Sequence, residues 1–156
     1  MYNILLTLSR NINFYKKIGL ADKPENRLYL MFIHFSIMLI IFKKKGIKFK
    51  QNKYDELFHS IEYNFRETGM GDVNVNKKMK ELNKIFYDIL LKLELKNSLS
   101  GKLKLNHTLI LKYFIDIKDE KRSNYLYLED YFANFYDFCN ELSPDNMIEE
   151  IKNFTY

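Results

Sequence analysis

Along most of this chain apolar residues recur at steps of three and four, the spacing that lines side chains up on one face of an α-helix. Leu5, Leu8, Ile12 and Tyr15 form such a stripe within Met1 to Lys17, and Gly19 can end that helix. Asp22 followed by Pro24 pairs a capping residue with an early proline, a helix-start pattern. Tyr54, Leu57, Phe58, Ile61 and Phe65 form a second stripe that ends near Thr68. Val75, Met79, Leu82, Ile85, Phe86, Ile89 and Leu93 form a third, on a helix running to about Leu95. After a break at Ser98 to Gly101, a helix near 105–117 is expected to turn Ile110, Phe114 and Ile117 inward. Beyond a turn at Lys118 to Ser123, Tyr125, Leu128, Phe132, Phe135, Tyr136 and Cys139 repeat at helical spacing. Ser143-Pro144 then opens a last short helix with Met147, Ile148 and Ile151 inward.

One segment has no polar face. Leu28 to Phe42 reads LYLMFIHFSIMLIIF. A helix apolar all round is either the buried centre of a bundle or a membrane span. Fifteen residues at 1.5 Å each cover about 22 Å, short of a hydrocarbon core of about 30 Å. His34 and Ser36 also lie within the run, so the buried centre is expected. As a span, it would have Lys43, Lys44 and Lys45 as a positive-inside flank. The predicted fold is therefore all-α: a single-domain bundle of about seven helices over residues 1–156, with a central buried apolar helix at 28–42. Only 5 Gly and 2 Pro interrupt the chain, which fits long helices and short loops. No strand signal and no internal repeat is present.

Composition adds material for a core: 47% of residues are hydrophobic and 16% aromatic, with Phe and Tyr but no Trp. Charge adds an asymmetry. The net charge is +5, yet residues 116–156 hold ten acidic and four basic side chains, leaving +11 on the first 115. Residues 43–53 contain six lysines and no acid. Such a basic region either attracts polyanions, RNA or anionic lipid, or simply keeps helix faces solvated. Lys77, Lys78 and Lys80 sharpen the choice, because cations in the first turns of a helix oppose its macrodipole by a few tenths of a kcal/mol each. With Arg66 and Lys43 to Lys45 they are the candidate partner-binding residues.

Candidate chemistry is sparse. Cys139 is the only cysteine, which excludes an intramolecular disulfide and a thiolate zinc site, and its spacing places it in the core. His34, His59 and His107 stand far apart in no metal-ligand pattern; His34 reads as a hydrogen-bonded core histidine and His59 as a surface residue. The pair Gly69 and Gly71 precedes a helix but lacks the strand and the Gly-Lys-Ser/Thr ending of a phosphate loop. Gly69 instead reads as a left-handed helix stop and Asp72 as the cap of the next helix. A DNA-reading helix at 72–95 would need arginine and base-reading polar pairs that are scarce there, so DNA is not expected. Glu129-Asp130 and Glu149-Glu150 lie on polar helix faces. No catalytic residue, cofactor or metal is expected.

Three stretches resemble the ubiquinol-cytochrome c chaperone family: Asn13 to Leu20, NFYKKIGL; Arg27 to His34, RLYLMFIH; and Tyr54 to Tyr87. The third is the most specific, with an Arg-Glu-x-Gly-x-Gly-Asp turn at Arg66 to Asp72, a basic Lys-x-Met-Lys helix and Phe86-Tyr87 at its far end. The resemblance is strongest over residues 1–95. Its usual Gly-Arg after Phe-Tyr is replaced by Asp88-Ile89, and residues 96–156 are divergent and acidic. It implies an all-helical, non-catalytic assembly factor of the cytochrome bc1 complex. The implied partners are nascent cytochrome b, a small partner protein and the ribosome near its tunnel exit; a peripheral contact with the inner membrane is a separate expectation. It also implies family-motif structural roles for Gly69, Gly71, Asp72, Phe86 and Tyr87. The N-terminus shows no secretory signal, and the resemblance starts too early for a transit peptide, so a bacterial, cytoplasmic member is expected. The alternative is a basic helical RNA- or ribosome-binding module without a cytochrome b client.

Overall fold

An apolar helix must be surrounded, and the computed structural model shows how. It describes residues 1–97, 103–117 and 122–156. Leu28 to Phe42 is the middle of a 21-residue helix, α3 (Pro24–Lys44), in which every side chain from Leu30 to Phe42 except that of Leu39 is buried. By length and composition α3 could cross a membrane; here its apolar stretch is largely enclosed by the other helices. These are α1 (Tyr2–Ser9), α2 (Ile12–Lys16), α4 (Gln51–Glu67), α5 (Asp72–Asn97), α6 (His107–Tyr113), α7 (Arg122–Glu141) and α8 (Pro144–Glu150), followed by a 3-10 turn at Ile151–Asn153. No strand occurs among the described residues. The packing of α5, α1 and α7 against α3 makes the bundle all-α, as the stripes predict.

On one side Phe32 and Phe35 meet Phe86 of α5, and Phe58 and Tyr54 of α4 close over the same ring. On the other, His34 sits among Phe14, Tyr131, Phe132 and Phe135. A buried imidazole needs partners for both nitrogens. Nδ1 lies 2.7 Å from the Leu30 carbonyl and Nε2 lies 3.0 Å from the Tyr131 hydroxyl. A carbonyl can only accept, so the Nδ1 proton is donated to Leu30 and Tyr131 donates to Nε2. Burial lowers the His34 pKa to about 4, keeping the ring neutral. His34 and Tyr131 thus form a neutral polar cross-link between α3 and α7, consistent with the core histidine expected at this position.

Several boundaries differ from those the stripes suggest, each for a local reason. The stretch Met1 to Lys17 is two helices. Asn11 caps α2 by accepting from the Asn13 amide at 3.0 Å, and the resulting change of phase buries Phe14 while leaving Ile12 exposed. Lys23, not Asp22, is the cap residue of α3, which puts Pro24 at the first helical position; Asp22 pairs with Arg27 instead. The helix near 105–117 closes at Tyr113, although Phe114 and Ile117 are buried beyond its end. Gly19 has φ +80° and ends α2 as expected. Cys139 is fully buried and its thiol pKa is pushed up by burial, in keeping with a core role. The break at Ser98 to Gly101, and residues 118–121 of the following turn, lie outside the described residues.

Two buried polar side chains of α3, His34 and Ser36, each give a prediction. The folded state holds the His34 proton more weakly than the unfolded chain does. Stability is therefore greatest above pH 6.5 and declines as the pH falls toward 4. Between pH 7 and pH 5 the loss from this group should reach about 2 kcal/mol in urea unfolding followed by circular dichroism, and His34→Leu should flatten the profile. Ser36, buried in α3 with no hydrogen-bond partner for its hydroxyl, can lose it without harm. Ser36→Ala should be neutral or stabilising by about 1 kcal/mol in the same assay.

Candidate partner-binding surface

Residues 66–72 set the angle between α4 and α5. Gly69, at φ +84°, ends α4 with two bonds: Met70 N–H to the Phe65 carbonyl at 3.3 Å and Gly69 N–H to the Arg66 carbonyl at 3.0 Å. This pair is the glycine-terminated closure that satisfies the last carbonyls of a helix. The Gly71 carbonyl then accepts from Asn74 and Val75, both at 3.0 Å, so Gly71 stands in the cap position and Asp72 is the first residue of α5. The expected capping role of Asp72 is thereby corrected by one position. Its carboxylate pairs with Arg66, which also reaches Glu62 at 2.8 Å. Arg66 therefore closes the turn from outside, tying both helices together.

Phe86 and Tyr87, adjacent in sequence, divide between the two faces of α5. Phe86 is fully buried at the hub of the aromatic cluster; Tyr87 is exposed, and its hydroxyl lies 3.2 Å from that of Tyr54. Asp88, where the resemblance leads one to expect glycine, anchors α6. Burial alone would raise its pKa. Hydrogen bonds from Tyr113, Lys92 and Lys112 outweigh that and hold the carboxyl well below its usual range.

Structure also separates the candidate lysines. Lys44 donates to the Tyr136 hydroxyl at 3.1 Å and lies over its ring, and Lys45 donates to the Leu142 carbonyl, so both fasten the end of α3 to α7 and the residue after it. Lys78 is half-buried and pairs with Glu81 at 3.5 Å. Lys77 and Lys80 are exposed and form no ion pair among the described residues. Lys84, which the sequence reading does not single out, shares both properties. The missed signal was spacing: 77, 80 and 84 follow at steps of three and four, whereas 78 falls off that line. Along the same line lie Val73, Tyr87 and Leu91, all exposed. At 100° per residue the six positions occupy a strip about 80° wide, roughly 165° from the buried face of Val75, Leu82, Phe86, Ile89 and Leu93.

Among the described residues, no three His, Cys, Asp or Glu side chains gather as metal ligands. A cleft of about 230 Å³ lies between α1, α3 and α4, floored by Leu6, Leu28, Met31, Ile61 and Phe65, with Arg10 and Arg27 at its rim. Taken together, these features define a helical scaffold whose distinguishing surface is the outer face of α5. The chain belongs to the ubiquinol-cytochrome C chaperone family, whose model matches residues 16–110. That match spans α3, α4, the 66–72 turn and α5. No curated protein and no solved structure matches the chain. The family is one of chaperones, and it points to a role in assembling the bc1 complex.

The two motif glycines should respond differently to alanine. Neither site has an atom within 4 Å of an added Cβ, so the backbone alone decides. Gly69→Ala forces a side chain into the left-handed region and should cost about 1 kcal/mol in urea unfolding. Gly71→Ala, without positive φ, should cost less than about 0.5 kcal/mol.

Proposed function

We propose that this protein is a non-catalytic assembly factor for the ubiquinol-cytochrome c reductase complex that binds newly synthesised cytochrome b. The observation carrying this reading is the family match over residues 16–110, which includes the Arg66–Asp72 turn and the helix it aims. Its chemistry is compatible with the surface described: holding a hydrophobic client requires exposed apolar contacts beside charged ones, and no reacting group. The reading carries a location with it, the side of the membrane on which cytochrome b is made. In a bacterial cell that is the cytoplasm, peripheral to the inner membrane, with the ribosome near its tunnel exit as a partner.

A second reading, a basic RNA- or ribosome-binding module without a cytochrome b client, draws on the exposed Lys77, Lys80 and Lys84. One strain separates the two. Deleting the gene should lower assembled bc1 complex and quinol oxidation selectively, with other respiratory complexes retained, and tagged protein should co-purify with cytochrome b during its translation. Unchanged bc1 levels in the deletion strain would overturn the first reading. Salt-sensitive RNA binding with no cytochrome b association would establish the second.

A further inference from the structure

The outer strip of α5 has a specific grammar. Val73, Lys77, Lys80, Lys84, Tyr87 and Leu91 follow at steps of four, three, four, three and four, the repeat by which one helix lies along another. Val73 is 82% exposed, Tyr87 57% and Leu91 56%, so apolar side chains stand in solvent at both ends of the strip. Among the described residues the three lysines between them carry no ion pair, although Lys78, Lys92 and Lys112 nearby each have a carboxylate partner. A strip meant only to stay solvated needs no apolar side chains in register with its charges.

We propose that this strip is a docking seam for an acidic amphipathic helix of a partner protein, with carboxylates facing Lys77, Lys80 and Lys84 and apolar side chains facing Val73, Tyr87 and Leu91. Width argues for a helix over a bilayer. A membrane-surface helix exposes an apolar face of at least about 100°, while this seam spans about 80° with cations at its centre. Its length from Val73 to Leu91, about 27 Å, matches five turns of a partner helix. Charge argues against self-pairing: two copies laid antiparallel along the seam would set Lys80 against Lys84, so an acidic partner is selected and a second α5 rejected. The contact is small and its ionic part exposed, so affinity should be modest and salt-sensitive.

The inference stands apart from the bc1 role, and its test reads the seam directly. The full chain is titrated with a labelled helical peptide carrying Glu and Leu at the facing positions, with a scrambled peptide of equal composition, with phosphatidylserine-containing vesicles, and with a short single-stranded RNA. The designed peptide should bind at least about tenfold tighter than the scrambled one. The triple variant Lys77→Glu, Lys80→Glu, Lys84→Glu, checked for intact helical content, should lose that binding and regain it toward a peptide with Lys in place of Glu. Equal binding of both peptides, absence of binding, an undiminished triple variant, or tighter lysine-dependent binding of vesicles or RNA would each overturn the proposal.

Discussion

A helix without a polar face is tolerable in water only if other elements enclose it, and α3 imposes that demand on the rest of the chain. Each fully buried Leu, Ile or Phe contributes roughly 1.5–3 kcal/mol, so enclosing α3 is a dominant favourable term in folding. The price is that helices must arrive from several directions with complementary stripes. α5 and α4 bring Phe86, Phe58 and Tyr54 to one side, and α7 brings Tyr131, Phe132 and Phe135 to the other. His34 is fully buried inside this enclosure. Its two hydrogen bonds let it remain as a neutral amide-like bridge and fix the register of α7 on α3.

Because α3 absorbs the inner face of α5, the outer face is left for other work. The charges of the molecule sort accordingly. Those that set helix geometry are paired: Arg66 with Glu62 and Asp72, Arg27 with Asp22, Asp88 with Lys92 and Lys112. Asn26, buried at the start of α3, joins the Ala21 carbonyl to Asp116 and so holds the loop before α3 against the segment after α6. Among the described residues Lys77, Lys80 and Lys84 belong to no such bridge. The motif turn at 66–72 sets the direction of α5 relative to α4.

Much of this was legible in the residues because helical burial is periodic. The stripes of α4, α5 and α7 predict their buried faces almost residue by residue, and Gly69 announces the end of α4. Less legible were features settled by one side-chain contact. Asn11 restarts the helical phase, which a stripe drawn through Leu8 and Ile12 cannot reveal. Asp72 reads as a cap until Arg66 takes its carboxylate. Tyr131 does not stand out as the partner of His34, since the two lie 97 positions apart in the chain.

By itself the sequence determined the all-helical class, the buried position of α3, the stop at Gly69 and the family, because each rests on local spacing or on a continuous motif. Tertiary structure decided which basic residues are tied to another helix. Lysines 43 to 45 and 77 to 80 look equivalent as runs of charge. Only packing shows that Lys44 and Lys45 are fastened to α7 and its end; along α5, spacing already puts Lys84 on the line of Lys77 and Lys80, and Lys78 off it with Glu81 three positions on. The contacts of Lys44 and Lys45 depend on distances between elements, which a spacing along one helix does not contain.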